Sequence, residues 1–203
     1  LYSALGTLDS ERRNIMTIED PIEYRLPAIG QIQVKPKIGL TFASGLRHIL
    51  RQDPDVVLVG ETRDAETAEI AVRSSLTGHL VFTTLHTNDA PSAVMRLVDM
   101  GIEPYLLASC LRGVLAQRLV RRLCPHCARA VAPDDPSLSA AESAVASVAG
   151  CDKVSRAVGC SRCLEGYTGR LGIFEFMSCS PDIMGAIHRG NLAADELQKI
   201  AES

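Results

Sequence analysis

Three short apolar runs in this chain each end in side chains able to manage a metal ion, a water or a proton. Val56-Val57-Leu58-Val59 runs into Gly60-Glu61. Asn14 to Ile18 runs into Glu19-Asp20-Pro21-Ile22-Glu23, and Leu80 to Leu85 runs into His86, after the turn Thr77-Gly78-His79. Continuous β-branched runs read as buried strands, and open α/β sheets bind their ligands beyond the carboxyl ends of the strands. A carboxylate in that position is a Walker B arrangement: it holds Mg²⁺ directly or through water, or it orients an attacking water. Between Glu19 and Glu23 three carboxylates crowd into one short turn, a concentration of like charge that a cation would relieve. Plainer readings stand beside these: Glu61 as a solvated residue at a strand end, Glu19 to Glu23 as a solvated turn, and either histidine as a hydrogen-bonded structural residue. The case for chemistry rests on all three strand ends carrying polar groups to one edge of a sheet.

A second constellation is built of sulfur. Cys124-Pro-His-Cys127 and Cys160-Ser-Arg-Cys163 are two C-x-x-C pairs separated by residues 128–159. Four thiolates suit tetrahedral Zn²⁺ in a closed, structural site, and a long intervening loop adds little closure cost. His126 could compete as a ligand. The tetrapeptide Cys-Pro-His-Cys also fits a thioredoxin-like redox site, but that chemistry needs the first cysteine at a helix N-terminus. Here a helix is expected before the motif, and a second pair follows. Unmetallated cysteines remain the third option. Cys110, Cys151 and Cys179 are scattered. Paired C-x-x-C units read as metal binding rather than a disulfide framework, which points to a reducing, cytosolic compartment.

The elements that must position these groups alternate along the chain. Residues 1–12 read as the end of a helix, followed by the Asn14–Ile18 strand. Glu23–Leu26 and Gln31–Val34 flank a Pro-Ala-Ile-Gly turn and predict a hairpin. A helix is predicted from Thr41 to Gln52, then the central strand Val56–Val59. Asp64 caps a helix over Ala65–Leu76 that Thr77-Gly78 stops. A strand over Leu80–Leu85 and helices over Asp89–Met100 and Glu103–Leu123 follow. This alternation predicts a parallel sheet with helices on its faces. Beyond Cys124 come an Ala, Ser and Asp-rich stretch, a weak helix over Ala140–Ala149, a turn at Gly166–Arg170 and a strand over Gly172–Met177. Two closing helices, Pro181–Arg189 and Ala193–Ala201, end the chain. The organisation expected is therefore a core over 1–123, a cysteine-bearing subdomain over 124–172 and a C-terminal strand and helices over 173–203.

Composition is compatible with this. Apolar residues make up 46% of the chain, aromatics only 4%, and there is no Trp, which fits an aliphatic α/β core. The net charge of −3 argues against a nucleic-acid-binding chain, since such domains are strongly basic. Arg112, Arg118, Arg121 and Arg122 therefore read as a solvated face or a subunit contact. No apolar stretch reaches the roughly 18 to 20 residues that span a bilayer. The chain starts without Met and without a leader-like segment, and is expected to be a fragment.

With these residues in view, the chain resembles the type II secretion and type IV pilus assembly ATPases of the PulE/GspE/PilB type. Their aspartate box resembles Thr17 to Tyr24. Their Walker B signature, L-R-x-x-P-D and then G-E-x-R-D, resembles Leu50 to Asp64. Their histidine box resembles Thr77 to His86, followed by Thr87-Asn88-Asp89. With Gly113 to Cys127 the resemblance covers about four fifths of the chain. Thr62 stands where the family more often has an aliphatic residue. The family's phosphate-binding loop, G-x-x-x-x-G-K-[ST], does not occur in these 203 residues, and Leu1 to Leu5 resembles the helix that runs out of it.

The resemblance implies a RecA-like P-loop core, incomplete at its start, with a tetracysteine zinc subdomain and a helical C-terminus. It implies an ATP hydrolase using ATP, Mg²⁺ and Zn²⁺. Glu61 would be the Walker B glutamate. Glu19, Asp20 and Glu23 would share Mg²⁺ and water positioning, and Asp20, Glu61 and Arg63 would contact the cofactor. His79 and His86 would sense the nucleotide. Which of Glu19, Glu23 and Glu61 is the general base stays open. The working form implied is a homohexamer at the cytoplasmic face of the inner membrane, beside a platform protein and a docking protein, with no nucleic acid. Hydrolysis would drive pseudopilus assembly in secretion, with pilus extension as the alternative. A non-catalytic zinc-ribbon binding module is the alternative from another class, but it has no use for acidic strand ends. Without the loop, this fragment alone is expected to be inactive.

Overall fold

The computed structural model describes residues 1–190 and 193–202. The elements in chain order are α1 (Tyr2–Leu5), β1 (Ile15–Glu19), β2 (Gly30–Gln33), α2 (Phe42–Ile49), β3 (Val56–Val59), α3 (Ala65–Leu76), β4 (Leu80–Thr83), α4 (Ala90–Asp99), α5 (Pro104–Cys110), β5 (Gly113–Leu123), β6 (Arg129–Val131), α6 (Ala140–Val148), β7 (Val154–Arg156), β8 (Tyr167–Ser178), α7 (Pro181–Arg189) and α8 (Ala194–Ala201). They form two compact units, 1–116 with 175–203, and 117–174.

In the first unit a four-stranded sheet has the order β2-β1-β3-β4, and every pair is parallel. Ile15 pairs with Val56 and Ile18 with Val59, while Val59 pairs with Thr83. Parallel register brings the carboxyl ends of β1, β3 and β4 to one edge. All four residues of β3 are buried, as a strand covered on both faces requires. Val57 and Val59 pack with Ile18, Leu46, Ile49 and Ala71 on one face. Val56 and Leu58 pack with Leu5 and Ile15 on the other. Burying a side chain of this size contributes about 1.5–3 kcal/mol. Helix α2 starts at Thr41, which exchanges side-chain and backbone hydrogen bonds with Ser44. Helix α3 starts at Asp64, whose carboxylate accepts the Thr67 N–H at 2.8 Å. The C-terminal helices belong to this unit: Ile183, Ile187 and Leu197 share a cluster with Val72, Val94 and Leu107.

Two further two-stranded sheets pair β5 with β8 and, in the second unit, β6 antiparallel with β7. The Arg121 guanidinium lies 3.9 Å from the centre of the Tyr167 ring. Helix α6 begins with a reciprocal cap between Ser139 and Glu142.

Four sequence expectations are corrected. The helix expected over Glu103–Leu123 stops at Cys110, and Gly113–Leu123 is a strand. Leu115, Leu119 and Leu123 recur at helical spacing, but pairing with β8 takes over the backbone hydrogen bonds. The predicted hairpin is absent: Gly30–Gln33 runs parallel to β1, and residues 23–26 form no strand. The helix at residues 1–12 is only Tyr2–Leu5. Gly166–Arg170 is not wholly a turn, since β8 starts at Tyr167. Residues from Glu175 onwards belong to the first unit.

Candidate functional site

A cleft of about 470 Å³ opens at the carboxyl edge of the sheet, and Tyr2, Glu19, Asp20, Glu23, Glu61 and Arg63 line it. Glu19 ends β1 and is only 4% exposed. Its carboxylate is held by three donors: the Tyr2 hydroxyl, the Thr17 hydroxyl at 2.5 Å and the Gln31 amide at 3.1 Å. Asp20 and Glu23 follow it on an exposed turn. Glu61 leaves β3 through Gly60, whose N–H donates to the Ile18 carbonyl at 2.7 Å. A Cβ at Gly60 would lie 3.2 Å from the Glu19 Cα, so a small residue lets the two strand ends approach. The Glu61 side chain is 14% exposed. Its Oε2 accepts from Arg63 Nε at 2.5 Å and from His86 Nε2 at 3.2 Å.

His86 therefore joins the carboxylates, and His79 does not. His79 precedes β4 and so sits at the amino edge of the parallel sheet, opposite Glu61. Its Nδ1 donates to the Ser74 carbonyl at 3.0 Å and lies 3.2 Å from the Thr77 hydroxyl. Thr62 is buried, and its hydroxyl meets that of Thr83 at 2.7 Å. Beside an aliphatic alternative, this adds a polar tie between the ends of β3 and β4. Sequence reasoning missed Tyr2, Thr17 and Gln31. Thr17 sits two residues before Glu19 on the same strand face, which alternation could have signalled; Tyr2 and Gln31 carry no such local mark.

The carboxylates of the cleft are hard oxygen donors, the type that Mg²⁺ takes. Among the described residues they form no tight cluster of three. They fit an ion held by one or two carboxylates plus water and substrate, as is usual for Mg²⁺.

In the second unit, the Sγ atoms of Cys124, Cys127, Cys160 and Cys163 lie within 4.8 Å of one another. Cys127 and Cys163 are 3.7 Å apart, as are Cys160 and Cys163, and Cys124 is 4.0 Å from Cys160. A disulfide needs about 2.05 Å. A tetrahedron of sulfurs about 2.3 Å from Zn²⁺ has edges of about 3.8 Å, so the donors and their spacing fit that ion. Each C-x-x-C pair turns on itself: Cys127 donates its N–H to the Cys124 carbonyl and Cys163 to the Cys160 carbonyl, and the Cys160 N–H points at the Cys163 sulfur at 3.3 Å. Desolvation and the neighbouring thiols push Cys127 up to about 11. At Cys163 desolvation is outweighed by the Cys160 N–H and adjacent thiols, which bring it down to about 7. Gly166 accepts the Cys124 N–H on its carbonyl at 2.8 Å. It has φ +87°, and a Cβ there would come within 2.6 Å of the Ala157 Cβ. The first cysteine pair follows a strand, not a helix N-terminus, and this removes the setting a thioredoxin-like site needs.

A parallel α/β sheet with carboxylates at its carboxyl edge, joined to a four-thiol centre, defines the class. The chain belongs to the Type II/IV secretion system protein family, whose sequence model matches residues 1–203. It is 54% identical over 196 residues to the type II secretion system protein HxcR of Pseudomonas aeruginosa, covering 96% of this chain and 38% of that protein. It is 53% identical over 189 residues to the type II secretion system ATPase E of Vibrio cholerae, covering 93% of this chain and 37% of that one. The chain thus spans about two fifths of the length of these relatives. Among solved structures it is similar to the pilus retraction motor PilT with bound ADP: TM-score 0.62, 29% identity, 94% of this chain and 44% of that one. The ATPase DotB of Yersinia pseudotuberculosis shares the fold, with TM-score 0.64 at 22% identity, over 93% of this chain and 42% of that one. No helix among the described residues is long and apolar enough to cross a membrane.

Proposed function

We propose that these residues are part of a RecA-like motor ATPase whose ATP hydrolysis drives pseudopilus assembly in type II protein secretion. Three things support this: family membership, type II secretion relatives above 50% identity, and the acidic carboxyl edge. The observation that carries it is the pairing of Glu61 with Arg63 and His86 beside Glu19 in one cleft. Glu61, fixed by two donors, is placed to accept a proton from, or orient, the attacking water. Arg63 and His86 hold that carboxylate in place, and Arg63 brings positive charge to the edge where phosphate charge would build. Asp20, Glu23 and Glu61 would hold Mg²⁺, which supplies neutralisation of phosphate charge when bound. Glu19 anchors the end of β1. His79 keeps the turn between α3 and β4. The four cysteines would hold one structural Zn²⁺ in the subdomain around residues 124–172. A homohexamer at the cytoplasmic face of the inner membrane, working with a platform and a docking protein, completes the reading.

Type IV pilus extension remains the second reading, favoured by the likeness to PilT. A non-catalytic zinc-ribbon module does not account for the first unit. The test joins these 203 residues to an upstream segment carrying a G-x-x-x-x-G-K-[ST] loop and measures phosphate release with and without Glu61→Gln. Equal release by both forms would overturn the site.

A further inference from the structure

Tyr2 stands at the crossing of three segments that the site needs. Its hydroxyl donates to Glu19 Oε2, and the Glu23 N–H reaches the same hydroxyl at 3.3 Å. Its ring meets the Tyr24 ring edge-on, with centroids 4.4 Å apart. One phenol therefore ties α1 to the end of β1 and to the acidic turn that follows. Burial, and then the bond to Glu19, raise its pKa, so the phenol keeps its proton and acts as the donor.

Glu19 itself is unlike the other carboxylates of the cleft. Thr17 and Gln31 donate to Oε1 and Tyr2 to Oε2. An ionised carboxylate has about four acceptor sites, so three are already filled. A group so occupied has little left to offer a water or an ion. Asp20 and Glu23, by contrast, are exposed, and Glu61 faces the cleft.

We propose that Tyr2 is a positioning residue: its hydroxyl locks Glu19 as a fixed anchor and through it sets the Asp20–Tyr24 turn against Glu61. This rests on the ATPase reading above. Of the candidate bases it removes Glu19 and leaves Glu61 facing the cleft with the exposed Glu23. The hydroxyl matters through Glu19, so its removal should slow turnover without loosening nucleotide.

The test uses the loop-bearing form with five variants: Tyr2→Phe, Glu19→Gln, the two combined, Gln31→Met and Glu61→Gln. Tyr2→Phe keeps the ring against Tyr24 and removes only the hydroxyl. It should lower kcat about tenfold with KM for ATP changed less than about twofold. In the Glu19→Gln background the same change should cost nothing more, because residues acting through one contact are non-additive. Gln31→Met, which removes a second donor at similar length, should lower kcat in the same direction. An unchanged kcat in Tyr2→Phe, or a full further loss in the double variant, would overturn the role of Tyr2. Glu61→Gln separates the two ideas. If it hydrolyses ATP normally, the site reading fails; if it is inactive while Tyr2→Phe is normal, only this inference fails.

Discussion

His86 Nε2 and Glu61 Oε2 lie 3.2 Å apart, and the same carboxylate oxygen takes the Arg63 Nε. A carboxylate pinned by two donors at the end of a fully buried strand cannot swing freely. That restraint is what preorganised positioning of a water requires.

Glu61→Gln in the loop-bearing form should lower kcat by about two or more orders of magnitude, the usual size of a lost positioning or electrostatic group. Nucleotide should still bind, because a G-x-x-x-x-G-K-[ST] loop draws its affinity from its own amides and Lys around the phosphates. Steady-state phosphate release and equilibrium titration together check both halves.

The two histidines should separate. His86→Asn removes a group in contact with Glu61 and should lower kcat about tenfold. His79→Ala should leave turnover within about twofold, since His79 lies at the far edge of the sheet. It should instead lower the melting midpoint by about 2–4 °C, the result of losing roughly 1 kcal/mol of hydrogen bonding to Ser74. Equal losses of activity in both variants would contradict this placement.

Reduced protein purified without chelators should carry about one zinc per chain, measurable by metal analysis, with four sulfur ligands by X-ray absorption. Because zinc competes with protons for the thiolates, affinity should fall as pH falls. Cys127→Ser should weaken the ion and loosen the 117–174 unit. Gly166→Ala should act alike without touching a ligand, because its Cβ meets Ala157 and its φ is positive.

The 203 residues alone should bind Mg-ATP very weakly and turn it over not at all. They contain no loop of backbone amides and Lys to cradle the phosphates, and their carboxylates repel them. Joining an upstream segment with that loop should restore binding in calorimetry. Micromolar binding by the short polypeptide would move the nucleotide site elsewhere.

Where local pattern and tertiary structure agree, the sequence was easily read. Val56–Val59, Ala65–Leu76 with its Asp64 cap, and Pro181–Arg189 stand as expected, because apolar run, cap and stop signals all point one way. The four cysteines converge for the same reason: short C-x-x-C turns and soft donors leave few arrangements. Gly113–Leu123 went the other way. Its leucines repeat at helical spacing, and only a partner more than forty residues on, Tyr167–Ser178, makes it a strand. Gly30–Gln33 had the same weakness, since a parallel partner leaves no hairpin signal. Tyr2 was invisible because its meaning comes from meeting Glu19 in space. His79 and His86 look equivalent in a string, yet a four-residue strand between them sends them to opposite edges.

The first unit is discontinuous: its chain leaves at Ala116 and returns at Glu175. Within it, Cys179 donates to the Arg112 carbonyl at 3.2 Å, and Gly113 lies against Phe176, so exit and return are neighbours. An insertion whose ends already touch imposes almost no closure cost on its host, whatever its length. The cysteine-bearing stretch is in that sense a cassette. Its length can change at little cost to the folding of the unit that carries it.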